Sequence, residues 1–185
     1  MLRLSILYTL LCVLALPSLH AEVNPTVPRD TSFTVWSTAV KVRKKHPDAV
    51  ILRPDLPAGV TAHENVVYTR LHATPFGERD LHVDIYRPDS QQLLPAVIMI
   101  HGGGWNSGDK TLQRPMAMQL AARGYVAIPL EYRLIPEALY PAGLHDVKTA
   151  VRWVRSHAAD YGIDHDRIAL WGCSAGSPGH TQDGV

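Results

Sequence analysis

Ile168-Ala169-Leu170-Trp171, followed by Gly172-Cys173-Ser174-Ala175-Gly176, is the stretch on which the fold turns. Four apolar residues ended by a glycine have the look of a strand buried on both faces. The next five spell G-x-S-x-G. A strand running into so tight a turn holds its serine strained and exposed. Small residues are needed two before and two after it, because side chains there would clash. The pattern alone is loose, and its plain alternative is a glycine-rich turn with an ordinary serine. The strand in front of it is what raises the signal.

Upstream, Leu144, Val147, Val151, Val154, Ala158 and Tyr161 recur at helical spacing, with Asp146, Lys148, Arg152 and Arg155 on the outer face and Gly162 closing the run. Tyr125 to Leu130 reads as a second buried strand, and Met116 to Arg123 as a helix stopped by Gly124. Ala96 to Ile100 is a third apolar strand. Val66 to Ala73 and Leu81 to Arg87 alternate in part around Phe76-Gly77-Glu78, which predicts antiparallel neighbours joined by a turn. Thr31 to Lys45 reads as a helix capped by Asp30 or Thr31, with Phe33, Trp36, Val40 and Lys44 on one face. Two strands, then strand–helix–strand–helix–strand, is an α/β pattern with a mainly parallel sheet.

His101-Gly102-Gly103-Gly104-Trp105 follows the strand Ala96 to Ile100. Consecutive glycines let a backbone approach a ligand and aim N–H groups at it, as acyl transfer requires where its oxyanion forms. A phosphate cradle is the alternative. The Walker Lys-Ser/Thr ending and the G-x-G-x-x-G spacing are both missing from it. His101 reads as a brace for this loop.

The sequence now resembles an α/β-hydrolase of the carboxylesterase/acetyl-esterase type, similar to hormone-sensitive-lipase-like and feruloyl- or acetylxylan-esterase-like proteins. The stretches that carry the likeness are HGGGWNSGDK at 101–110, EYRLIPE at 131–137, YPAGLHDVKTAVRWVR at 140–155 and YGIDHDRIALWGCSAG at 161–176. The resemblance implies that Ser174 is the nucleophile and that the N–H groups of Gly103, Gly104 and Ala175 form the oxyanion hole. It also puts Trp105 at the mouth of the site, against substrate, and gives Asp146 and Arg133 structural work. The implied activity is hydrolysis of small-acyl esters such as acetyl esters, on small molecules or on polysaccharide, with no cofactor and no metal. A serine peptidase or an arylformamidase would use the same scaffold.

Composition agrees with a soluble globular domain: 46% hydrophobic, 19% charged and a formal net charge of +1. That balance carries no electrostatic footprint for nucleic acid. Arg3, the apolar run Leu4 to Leu16 and the small residue Ala21 predict a signal peptide over 1–21 and a secreted or periplasmic protein. The run is too short to span a bilayer, so no stable membrane insertion is expected once it is removed. Its removal also takes Cys12 and leaves Cys173 as the single thiol, so no internal disulfide is expected. Residues 22–60 then form a leader and helix, and 61–176 a partial α/β-hydrolase domain.

The likeness stops after Gly176. Ser177-Pro178-Gly179-His180-Thr181-Gln182-Asp183-Gly184-Val185 cannot build the apolar helix that follows the nucleophile in the family. The family order Ser…Asp/Glu…His would put the other two catalytic groups after it. The expectation is therefore a truncated or frameshifted esterase with a divergent tail at 177–185, inactive as it stands and with an apolar sheet edge beside Trp171. The competing reading is a non-catalytic binding protein, or a gene remnant, on a hydrolase scaffold.

Overall fold

A computed structural model describes residues 27, 30–51, 55–135 and 137–177. The signal-peptide segment, most of the leader before Asp30 and the tail from 178 lie outside the described residues.

Five strands form one sheet in the order β1-β2-β4-β3-β5. β1 (Val60–Leu71) and β2 (Arg79–Pro88) pair antiparallel, as the turn at Phe76-Gly77-Glu78 predicts. β2 runs antiparallel to β4 (Val126–Leu130), whereas β3 (Leu94–Ile100) is parallel to both β4 and β5 (Ile163–Gly172). The sheet is therefore mixed, with its parallel part in the last three strands. The connection from β3 to β4 passes through a short 3-10 turn and α2 (Arg114–Ala121); that from β4 to β5 passes through α3 (Ala142–Ser156).

The pleat sorts the core into two layers, because successive strand residues face opposite ways. Leu81, Val83, Ile85, Ile98, Ile100, Ile128 and Leu130 face α3 and pack on Ala150, Val154 and Ala158. Tyr86, Met99 and Ala127 face α2 and meet Ala117, Met118 and Ala121. β4 is buried along its whole length, as a central strand covered on both faces must be.

Three local expectations change. α1 spans Val35–Arg43, and its N-cap is Thr34, which forms a capping box with Ser37. Asp30 instead accepts the N–H of Ser32 at 2.7 Å. Asp146 belongs to the buried side of α3, where it takes the Arg133 guanidinium at 2.7 Å. The helix tolerates a carboxylate there because the charge is paired and hydrogen-bonded. β5 is exposed over His165 to Arg167 and alternates between half-buried and exposed from there to Gly172, so it is an edge strand rather than one covered on both faces. Among the described residues, β3 is its only partner.

Candidate active site

The two glycine-rich motifs meet because their strands are parallel neighbours. Ile100 is the register partner of Gly172, so His101 and Cys173 leave the sheet at the same end, and the Cys173 N–H donates to Ile100 O at 3.2 Å. After extended Cys173 the chain turns at Ser174, whose φ is +53°, into the 3-10 turn Ser174–Gly176. A left-handed serine costs backbone energy that a non-functional turn avoids by using glycine. The flanking glycines have a steric cause. A Cβ on Gly172 would lie 1.8 Å from Gly176 O, and one on Gly176 would lie 2.4 Å from Ile100 O.

The glycine-rich loop fits equally closely. A Cβ on Gly102 would meet Cys173 O at 2.6 Å and the Ser174 Cβ at 3.2 Å. The Gly103 carbonyl accepts three bonds: from the Asn106 N–H at 3.2 Å, the Ser107 N–H at 3.1 Å and the Ser107 hydroxyl at 3.0 Å. The peptide unit is planar and trans, so a carbonyl held on one side turns the next N–H to the other. Ser107 therefore sets the direction of the Gly104 N–H. The His101 ring nitrogen contacts Gly102 O at 2.8 Å and fixes the Gly103 N–H in the same way. Among the described residues, the N–H groups of Gly103, Gly104 and Ala175 donate to no protein acceptor.

Supports beneath the loop were legible only in part. His101 is buried, stacks on Tyr132 with ring centroids 4.5 Å apart, and its carbonyl accepts the Tyr132 hydroxyl at 2.7 Å. Burial pushes the Tyr132 phenol well above its usual range, so it stays a donor. At the far end of the loop, Lys110 reaches Asp84 at 2.5 Å and the Asn65 side-chain oxygen at 2.8 Å. Asn65 sits in a β1 irregularity at φ +58°, and its N–H donates to Asp84 at 2.8 Å. Charge spacing in the sequence gives no sign of this pair, because its members are far apart along the chain.

A second buried network lies under the C-terminal end of β4. Arg79 donates to Glu137 through two nitrogens, at 2.5 and 3.0 Å, and to Glu131 at 2.9 Å. Glu131 also takes the His82 backbone N–H at 3.2 Å. Burial works against the charged guanidinium, yet Glu131 and Glu137 outweigh it and hold Arg79 above its ordinary value.

Trp105 has φ +60°, is 41% exposed, and its carbonyl accepts the Ile135 N–H at 2.7 Å. Ser174 is exposed, and its hydroxyl has no hydrogen-bond partner among the described residues. One group with metal-ligand geometry occurs among them, Asp164-His165-Asp166 on the outer strand. It is mostly exposed, and Asp164 already binds Arg167 at 2.6 Å.

The strain at Ser174 makes a stability prediction. Ser174→Ala and Ser174→Gly both delete the hydroxyl, but only glycine relieves the left-handed backbone. The glycine variant is expected to be about 1 kcal/mol more stable than the alanine variant in urea unfolding. Equal midpoints would show the turn to be unstrained.

The chain matches the BD-FAE family over residues 83–181, more than half its length. It is 41% identical to the carboxylesterase NlhH of Mycobacterium tuberculosis over 102 residues, which cover 54% of this chain and 32% of that protein. The arylesterase of Saccharolobus solfataricus is 34% identical over 98 residues, 52% of this chain and 32% of its own. Esterase Est2 of Thermogutta terrifontis superposes with a TM-score of 0.56 at 34% identity, covering 66% of this chain and 42% of that one. Esterase B of Lactobacillus rhamnosis gives 0.58 at 28%, covering 76% and 42%. The chain thus spans about a third of the length of these sequence relatives.

Proposed function

The chain belongs to the BD-FAE family, among the α/β-hydrolase carboxylesterases, and from that membership we propose that Ser174 is the nucleophile of an exported hydrolase of small-acyl esters. The Ser174 Oγ attacks the ester carbonyl carbon and gives up its proton to a base. The carbonyl oxygen takes the negative charge and is received by the N–H groups of Gly103, Gly104 and Ala175. Collapse expels the alcohol with a proton and leaves an acyl-serine, which water then hydrolyses. Trp105 borders the entering ester. The acyl groups are small, acetyl among them, on small molecules or polysaccharide, and export is supported by the charged and apolar run at the start of the chain.

The observation that carries the reading is the strained Ser174 packed against a loop whose Gly103 and Gly104 N–H groups donate to no protein acceptor among the described residues. The unpartnered Ser174 hydroxyl supports low turnover for these residues acting alone. It also favours the second reading, a non-catalytic binder. An aryl fluorophosphonate at alkaline pH, where hydroxide serves as the base, separates the two. Mass spectrometry is expected to find one adduct, on the Ser174 peptide, absent in Ser174→Ala. No adduct, or one on another serine, overturns the assignment of Ser174 and leaves the binder.

A further inference from the structure

We propose that α1 and the residues flanking it form an interfacial anchor that lays the protein on anionic phospholipid surfaces. No residue of α1 is buried. With about 3.6 residues per turn, Phe33, Trp36 and Val40 make one stripe, and Val35, Ala39 and Val42 make the stripe beside it. Ser37, Thr38 and Lys41 occupy the opposite side, with Lys45 just past the end of the helix; Lys44 continues the Phe33, Trp36 and Val40 face, and Arg43 falls between the two apolar stripes. Phe33, Val35, Trp36, Val40 and Val42 are all exposed, Trp36 by 65%.

Charge selects the partner. Thr31 to Pro47 holds Lys41, Arg43, Lys44 and Lys45 and not one acidic residue, in a chain whose formal net charge is only +1. Lysines flanking an apolar half that carries tryptophan and phenylalanine suit a headgroup layer: the rings enter the acyl boundary and the ammonium groups reach the phosphates. The lysines alone would suit any acidic surface; the exposed aromatics ask in addition for an apolar layer beside the anionic one, which a phospholipid surface presents beneath its phosphates. Among the described residues no helix is long and apolar enough to cross a membrane, so the anchor lies on the surface.

The placement ties the anchor to the candidate site. Asp30 bridges to Ser107 in parallel just ahead of the helix. Four residues, a span of at most about 17 Å of chain, separate that bridge from the first residue of α1. A lipid surface that holds α1 therefore holds the loop bearing Trp105 close to it.

Binding does not require ester hydrolysis, so it is tested apart from the function proposed above. The whole chain is sedimented with vesicles of phosphatidylcholine alone and of phosphatidylcholine mixed with phosphatidylserine. Preferential binding to the mixed vesicles, weakening with salt, is the expected result. Trp36→Ala, and the pair Lys44→Gln/Lys45→Gln, should each lower that affinity by about tenfold. Trp36→Phe should keep the binding but lose Trp36's share of the tryptophan quenching by brominated phosphatidylcholine. Because no residue of α1 is buried, these variants are expected to keep the parent circular dichroism. No sedimentation, equal sedimentation with both vesicles, or unchanged affinity in the Ala and Gln variants overturns the anchor.

Discussion

Gly172→Ala is expected to cost the protein about 4 kcal/mol or more, enough to remove most of the stability of an ordinary domain. The added methyl would lie 1.8 Å from Gly176 O and 2.5 Å from the Gly176 carbonyl carbon. Both are backbone atoms, so no side chain can swing aside. Relief requires the turn to open, which tears the Cys173 N–H from Ile100 O and separates β5 from β3 at its end. The control is Gly104→Ala. Its Cβ meets nothing within 4 Å, and only its left-handed backbone (φ +63°) opposes the change. A loss of about 1 kcal/mol is expected there. Guanidinium midpoints measure both, and similar losses for the two would refute the steric account of the elbow.

Arg79→Met is expected to destabilise by about 3–5 kcal/mol, because it leaves two buried carboxylates without their shared counter-charge. Arg79, Glu131 and Glu137 have side chains no more than 12% exposed, so water cannot replace the guanidinium. Adding Glu137→Gln to Arg79→Met should restore part of the loss, making the pair strongly non-additive. Urea titrations of the single and double variants test this. Additive losses would show the pair to be unimportant.

Much of this architecture is legible residue by residue. Ala96 to Ile100 and Tyr125 to Leu130 announce buried strands because both faces of a covered strand must be apolar, and β3 and β4 occupy those positions. The G-C-S-A-G turn is legible because sterics admit few residue types there. Edge position is not. Ile168 to Trp171 is as apolar as a central strand; the expectation of an edge beside Trp171 comes from the resemblance stopping after Gly176, and the strand order leaves that side without a partner among the described residues. Asp146 deceived the helical periodicity, since a paired carboxylate can occupy a buried position and its partner, Arg133, lies outside the helix. The Lys110–Asp84 and Arg79–Glu137 pairs were equally hidden. Periodicity reports which face of one element is apolar, whereas these contacts join distant elements.

The bridge from Asp30 to Ser107 carries a consequence for the order of assembly. It closes a loop of 77 residues, the difference between 107 and 30, whereas the β1–β2 hairpin closes across the short turn 72–78. Loop-closure entropy grows with the logarithm of length, so the bridge costs roughly 2 kcal/mol more to close than the hairpin. The hairpin can therefore collapse early on local contacts, while the brace on Ser107 waits until the rest of the sheet has brought its ends together. The peptide groups around Gly103 are then among the last to set during folding and among the first to exchange their amide hydrogens with solvent in the native state.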